Sequence, residues 1–222
     1  MKLSIILPTL DEAQGIVPAL EALAPLRGRG HEVIVADGGS EDATRQLAAP
    51  LTDRVITAPR GRGRQMNAGA AAANGDVLLF LHADTRLPPQ ADEAVIAAVK
   101  NHAWGRFDVR IEGGPALLAV VACGMNWRSR LTGIATGDQA IFVRRAAFRG
   151  FPEIALMEDV AFCKSMKRLS PPACLRAVAA TSGRRWQRHG VLRTVFLMWR
   201  LRLAYSLGAR PDELARRYAK ES

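Results

Sequence analysis

Asp84 follows the apolar run at residues 77–81 by three positions, with His82 between them. A carboxylate at the end of a buried strand can hold a hard divalent cation against phosphate oxygens, because Mg2+ and Mn2+ prefer oxygen ligands. His82 should share the face of Asp84 in an extended chain and could be a second ligand or a phosphate donor. Read alone, Asp84 is also an ordinary turn former before Thr85, and His82 a polar strand-end residue. Glu158 and Asp159 open a helix after Phe151 and Pro152. A carboxylate there can act as general base on a hydroxyl, although the helix dipole alone favours acids at that position. Arg184, Arg185 and Trp186 set cations beside an indole, a combination that can bind diphosphate or stack on a sugar or base; it also reads as a plain basic turn.

Those groups need elements to position them. Residues 2–7, 31–36, 54–57 and 76–81 read as strands, and the continuous apolar run at 77–81 suits a strand covered on both faces. Between them, 12–26 reads as a helix weakened by Pro18 and stopped near Pro25. Ser40 is the expected N-cap of a helix through Leu47. An Ala-rich helix closes at Asn74-Gly75, and 88–100 reads as another helix. This alternation predicts a doubly wound, mostly parallel α/β sheet. In such sheets the ligand lies beyond the carboxyl ends of the strands. Four loops converge there: Pro8 to Glu12, Asp37 to Ser40, Gly61 to Asn67, and His82 to Thr85.

The second half changes character. Phe107, Val109 and Ile111 alternate with Asp108, Arg110 and Glu112, the pattern of a strand with one wet face. An apolar helix is expected over 116–131, a strand over 139–143, a helix over 158–169, a weaker strand over 175–180, and helices over 191–207 and from Asp212. In the helix at 191–207, Phe196, Trp199 and Leu203 form one apolar stripe with Arg193 and Arg200 on another side. Such a helix can lie on an anionic membrane and meet a lipid acceptor; packing on the parent domain is the competing reading.

Composition narrows the classes. The formal net charge is +10, mostly from Arg, which suits an anionic partner. No nucleic-acid motif accompanies it, so no nucleic-acid partner is expected. Three scattered cysteines form neither a disulfide framework nor a zinc site and suit a reducing compartment. The chain enters a strand pattern at once, without a signal-peptide layout. No apolar run reaches the roughly 18 residues that would span a bilayer. The expected location is cytoplasmic, with peripheral contact on the inner face of the cell membrane as the extension of the helix reading. A dinucleotide fingerprint is absent, since Gly61 and Gly63 are followed by Met66 where a third Gly belongs.

Taken in order, ILPTLDEA, VADGGSEDAT, GRGRQMNAGA, LLFLHADT, GDQAIFV, LMEDVAF and TSGRRW run from residue 3 to about 186. This set resembles the family 2 glycosyltransferases of GT-A fold. Within them it resembles a bacterial subgroup known as "transferase 2, radical-SAM/selenodomain-associated". The resemblance implies transfer of a sugar from a nucleotide diphosphate, of UDP type, to an acceptor hydroxyl, with inversion and with Mn2+ or Mg2+. It assigns Pro8, Thr9 and Glu12 to the nucleotide loop, Asp37 to a uracil-type base and Arg64 to a diphosphate or base contact. Asp84 matches the last residue of the DxD metal motif, Asp159 the base of the ED motif with Glu158 beside it, and Arg185 and Trp186 the end of QxxRW. Two positions depart from the pattern. His82 stands at the first DxD position, and Ser182 at the Gln of QxxRW, which does not support processive synthesis. The expected layout is a GT-A domain over 1–186 and basic amphipathic helices over 187–222, part of that domain or a membrane-surface appendage. A nucleotidyltransferase and a nucleotide-sugar binder without turnover are the alternatives.

Overall fold

The computed structural model describes residues 1–221, apart from the side chains of Arg185, Arg188 and Glu221. Strands β1 (Leu3–Thr9), β2 (Glu32–Asp37), β3 (Arg54–Thr57) and β4 (Val77–Phe80) run parallel in the order β3-β2-β1-β4. Along β1 the side chains alternate between two cores, as the two-residue period of a strand requires. Ile5 and Leu7 pack with Val33, Val35 and Leu79 beneath helices α1 (Ile16–Glu21), α2 (Ala24–Gly28) and α5 (Ala91–Ala98). Ile6 packs on the other face with Ile34, Leu78 and Phe80, under α4 (Arg62–Ala72) and α7 (Glu158–Met166).

The sheet then turns mixed. Strand β7 (Phe142–Arg144) is antiparallel to both β4 and β6 (Trp104–Glu112), and β8 (Ala173–Ser182) runs parallel to β6. A two-residue β5 (Thr85–Arg86) closes the far edge against β8. Helix α6 (Leu117–Thr132) follows β6, and α8 (Arg184–His189), α9 (Val191–Ser206) and α10 (Pro211–Glu221) follow β8. Among the described residues no helix is long and apolar enough to cross a membrane.

Several expected elements differ. The helix expected over 12–26 is two helices, because Pro25 has no N–H and can only begin a helix, so α2 starts afresh around it. Pro18 is tolerated in the first turn of α1, where its missing donor would be unpaired anyway. Ser40 caps nothing: its hydroxyl is spent on Asp37, and α3 (Thr44–Ala48) starts four residues later with Ala43 at the N-cap. The strand expected over 139–143 shortens to β7, preceded by a 3-10 turn at Gly137–Gln139.

Gly105 lies where β6 and β7 cross closely. A Cβ there would sit 2.4 Å from Phe142 Cζ and 2.5 Å from the Ala173 carbonyl oxygen. Backbone cannot yield as a flexible side chain can, so Gly105→Ala is expected to cost about 3 kcal/mol of stability. Urea unfolding of the two proteins checks this; equal midpoints would contradict it.

Candidate active site

Strands β1 and β2 end side by side, with Thr9 opposite Asp37 in register. Asp37 is fully buried. Its Oδ1 accepts the N–H groups of Gly39 (3.1 Å) and Ser40 (2.9 Å), and its Oδ2 accepts the hydroxyls of Ser40 and Thr9. Four donors thus surround this buried carboxylate, as buried polar oxygens require. Gln65, on α4, donates from Nε2 to the carbonyls of Thr9 (2.6 Å) and Ala36 (3.0 Å), tying both strand ends to the helix. The loop after β1 is stitched to the loop after β2: Asp11 N–H donates to Ser40 Oγ, Glu41 N–H to Asp11 Oδ1, and Glu12 N–H to Thr44 Oγ1. Pro8 and Thr9 thus end on a rigid floor.

Glu12 reaches from that floor toward Asp84. Burial, and next the negative charge of Asp84, hold the Glu12 carboxyl above its ordinary value, while Arg184 opposes them. Asp84 is exposed, with Thr85 Oγ1 3.3 Å from its Oδ1. It lines a cavity of about 340 Å3 with Gln14, Gly15, Glu112, Ser182 and Arg184. His82 Nδ1 lies 3.3 Å from the Asp138 carboxylate. The Nε2 side of the ring lies against Gly137, where an added Cβ would fall 2.3 Å from Nε2. Burial disfavours charge on His82, but Asp138 outweighs it and raises the imidazole above its usual value.

The second acidic pair sits across the Gly137 turn. Glu158 is buried, with Arg62 Nη1 3.6 Å away. Asp159 is half-buried; its Oδ2 accepts the Gly137 N–H (3.2 Å) and its Oδ1 the Val160 N–H (2.7 Å). Burial, then the Glu158 charge, push Asp159 up to about 6, against the pull of those donors and Arg62. Arg128 comes in from α6 with Nε and Nη2 buried and without a hydrogen-bond partner. Burial lowers its pKa, and Asp159 is the strongest charge opposing that. Met157, just before the pair, has a φ of 72°, the left-handed conformation that non-glycine residues adopt at some cost. The segment is braced by Phe151, stacked on Phe162 at 4.2 Å and edge-on to Phe80 at 4.8 Å.

Eight of the residues named from the sequence therefore gather at one sheet edge: Pro8, Thr9, Glu12, Asp37, His82, Asp84, Glu158 and Asp159. Arg64 points elsewhere, its Nε pairing with exposed Glu153 at 3.1 Å. Arg62, two residues earlier, faces the acids instead. Trp186 packs on Ile111, Leu118 and Ala122. The side chain of Arg185 lies outside the described residues. Sequence reasoning gave no individual role to Gln65, Gly137 or Asp138, although their segments were singled out, and it missed Arg128. Arg62 and Gln65 share the Gly/Arg loop, and Gly137 and Asp138 open the GDQAIFV motif, whereas Arg128 sits in an apolar helix with no signal. Among the described residues, no group of three His, Cys, Asp or Glu side chains is placed to hold a metal ion by itself.

The chain and its fold have known counterparts. Dolichol-phosphate mannosyltransferase of Pyrococcus furiosus is 32% identical over 108 residues, 46% of this chain and 31% of that protein. Glucosyl-3-phosphoglycerate synthase of Mycolicibacterium paratuberculosis is 32% identical over 92 residues, 37% of this chain and 28% of that protein. The matches thus span about a third of these curated relatives. Among solved structures, S. aureus TarS 1-349 in complex with UDP-GlcNAc superposes with a TM-score of 0.63 at 20% identity, covering 82% of this chain and 58% of that one. Glucosyl-3-phosphoglycerate synthase from Mycobacterium tuberculosis, with Mn2+, UDP and glucosyl-3-phosphoglycerate, gives 0.59 at 21% identity, covering 82% and 70%. The fold is thus of GT-A type. Since the family model for glycosyl transferase family 2 matches residues 4–116, just over half of the chain, the protein belongs to that family.

Proposed function

We propose that the protein transfers a sugar from a nucleoside diphosphate, a UDP-sugar, to an acceptor hydroxyl with inversion at the anomeric carbon. The observation that carries this reading is Asp159: a carboxylate at the edge of the site, raised toward neutrality and oriented by the Gly137 N–H. A general base works best when its pKa lies near the working pH. In the ionised form Asp159 takes the acceptor proton as the oxygen attacks, and the bond to the diphosphate breaks on the opposite face. Pro8, Thr9 and Asp37 shape the nucleotide floor. Asp37 has its oxygens engaged, so a base N–H would share or replace the Ser40 bond. Arg64 and Arg185 are assigned to donor phosphates; Arg64 is released at little cost, because exposed ion pairs contribute about 1 kcal/mol or less. Trp186, on α8 with Arg184 and Arg185, packs on Ile111 and Leu118 and so anchors that helix.

A divalent cation fits beside Asp84. Asp84 and Glu12 are two carboxylates whose charges oppose each other, and Mg2+ or Mn2+ takes one or two carboxylates plus phosphate oxygens and water. Bound there, it would neutralise charge on the leaving diphosphate. The same assignment places His82 next to Asp84 as a further donor, although its Nδ1 faces Asp138. The UDP and Mn2+ of the Mycobacterium tuberculosis synthase support this donor chemistry. The ordered motifs support the radical-SAM/selenodomain-associated subgroup, the three scattered cysteines suit a reducing, cytoplasmic location, and the apolar stripe and arginines of α9 suit a lipid-borne acceptor.

Calorimetric titration of UDP with Mn2+, Mg2+ or EDTA, on wild type and Asp84→Ala, tests the donor site. Metal-dependent binding weakened at least about tenfold in the variant is expected, the loss of one charged metal ligand. Binding indifferent to metal and to Asp84 would move the diphosphate onto His82 and the arginines. Tight UDP binding with no transfer to any acceptor would favour a binder without turnover.

A further inference from the structure

Helix α9 meets the body through Thr194, Leu197 and Leu201. Its opposite face carries Leu192, Phe196 (68% exposed), Trp199 (75%) and Leu203, continued by Leu207 just past its end. Helix α6 does the same: Leu118, Ala122 and Ser129 face inward, and Leu117, Val120, Trp127 and Leu131 face outward. The two helices touch, sharing an apolar cluster that includes Ala122 and Val191. Together their two stripes hold nine of the thirteen exposed large hydrophobic side chains among the described residues. Single exposed hydrophobics need no explanation; a concentration of this kind on two touching helices marks a contact surface.

The charge around the stripes selects the partner. Residues 190–210 contain Arg193, Arg200, Arg202 and Arg210 and no acid; residues 116–133 contain no acid either, and their two arginines are engaged by the body, Arg128 turned toward Asp159 and Arg130 paired with Asp108 at 2.6 and 2.7 Å. At about 100° per residue, Arg193 and Arg200 fall on one flank of the α9 stripe and Arg202 on the other. A second copy meeting this face symmetrically would bring like charges together. An anionic bilayer accepts both features, apolar side chains below the headgroups and guanidinium groups among them.

We propose that α6 and α9 form a two-helix docking face for an anionic lipid bilayer. Docking does not depend on the transfer reaction; only its purpose, delivery of a lipid-borne acceptor, rests on the reading above. Helix α6 also carries Arg128 toward Asp159, so the face and the base are two sides of one element.

Flotation of the full chain with phosphatidylcholine vesicles, with and without phosphatidylglycerol, tests this. Co-flotation with anionic vesicles is expected, weakened by salt and by removal of phosphatidylglycerol. Phe196→Ser/Trp199→Ser and Trp127→Ser/Leu131→Ser should each lower vesicle partitioning about tenfold or more. Thermal melting and UDP binding of both variants should match wild type, since all four side chains are exposed. Brominated acyl chains should quench the fluorescence of both Trp127 and Trp199. Absence of flotation at low salt would overturn the proposal. So would stripe variants that float like wild type, or a stable dimer that the stripe variants dissociate. Protein that floats yet binds no UDP would instead sink the transferase reading and leave docking intact.

Discussion

Asp159→Asn is expected to lower the rate of sugar transfer about a thousandfold and leave UDP affinity unchanged, the usual scale for loss of a general base. Asn keeps the shape but has one acceptor oxygen for the two N–H groups, of Gly137 and Val160, that Asp159 takes, so the loss of the pH dependence below, rather than the rate alone, isolates proton abstraction. The wild-type rate should rise with pH up to about 6, where the base becomes ionised, and level above it. The variant should lack that limb. Stability should move the other way. Between the ordinary aspartate value of 3.8 and about 6, the folded chain keeps a proton that the unfolded chain has released. Stability is therefore lost as pH rises through that window, and at neutral pH the ionised carboxylate is a burden on the fold. Asp159→Asn should melt higher than wild type at neutral pH, and the gap should close in acid. A variant that is both slower and more stable is the signature of a group kept for chemistry. Transfer at the wild-type rate would remove Asp159 from the mechanism.

Gly137→Ala is expected to cost about a hundredfold in transfer rate, the scale of a small displacement of a reacting group. The added Cβ would fall 2.3 Å from His82 Nε2 and 2.4 Å from Cε1. The ring cannot swing aside without leaving Asp138, and the turn cannot shift without withdrawing the N–H that holds Asp159. Stability should fall by about 1–3 kcal/mol, the cost of overpacking. Combining it with His82→Ala removes the clash, so the double variant should be more stable than Gly137→Ala alone. Additive losses in urea unfolding would show that the two residues do not press on each other.

The parallel half of the fold was legible because its strands are short apolar runs separated by turn-forming residues, and β3 falls at the residues expected. The four loops that carry the acids follow from that. Strand β5, with two residues, and α8, in a stretch read as a basic turn, lie below what periodicity resolves. Arg62 and Arg64 lie two apart on one helix and so face different ways, and nothing in the loop composition says which one turns toward Glu158. Asp138 and Gly137 gain their roles only from pairing across the sheet. Helix α9 shows the same limit. It is apolar on both sides, so the pattern predicts a stripe but does not say which side faces the body. The stripe of Phe196, Trp199 and Leu203 turns out to face away from it.

Strand β7 runs against β4. That reversal brings the turn entering β7 to the edge where β4 ends, which is why His82 and Asp138 meet. The four parallel strands therefore supply the floor on which Asp37 and Thr9 sit, while the antiparallel strand supplies the turn that holds Asp159 from the other side. A displacement of that one turn would thus be felt at His82 and Asp159 together, while the hydrogen bonds around Asp37 would be left as they are.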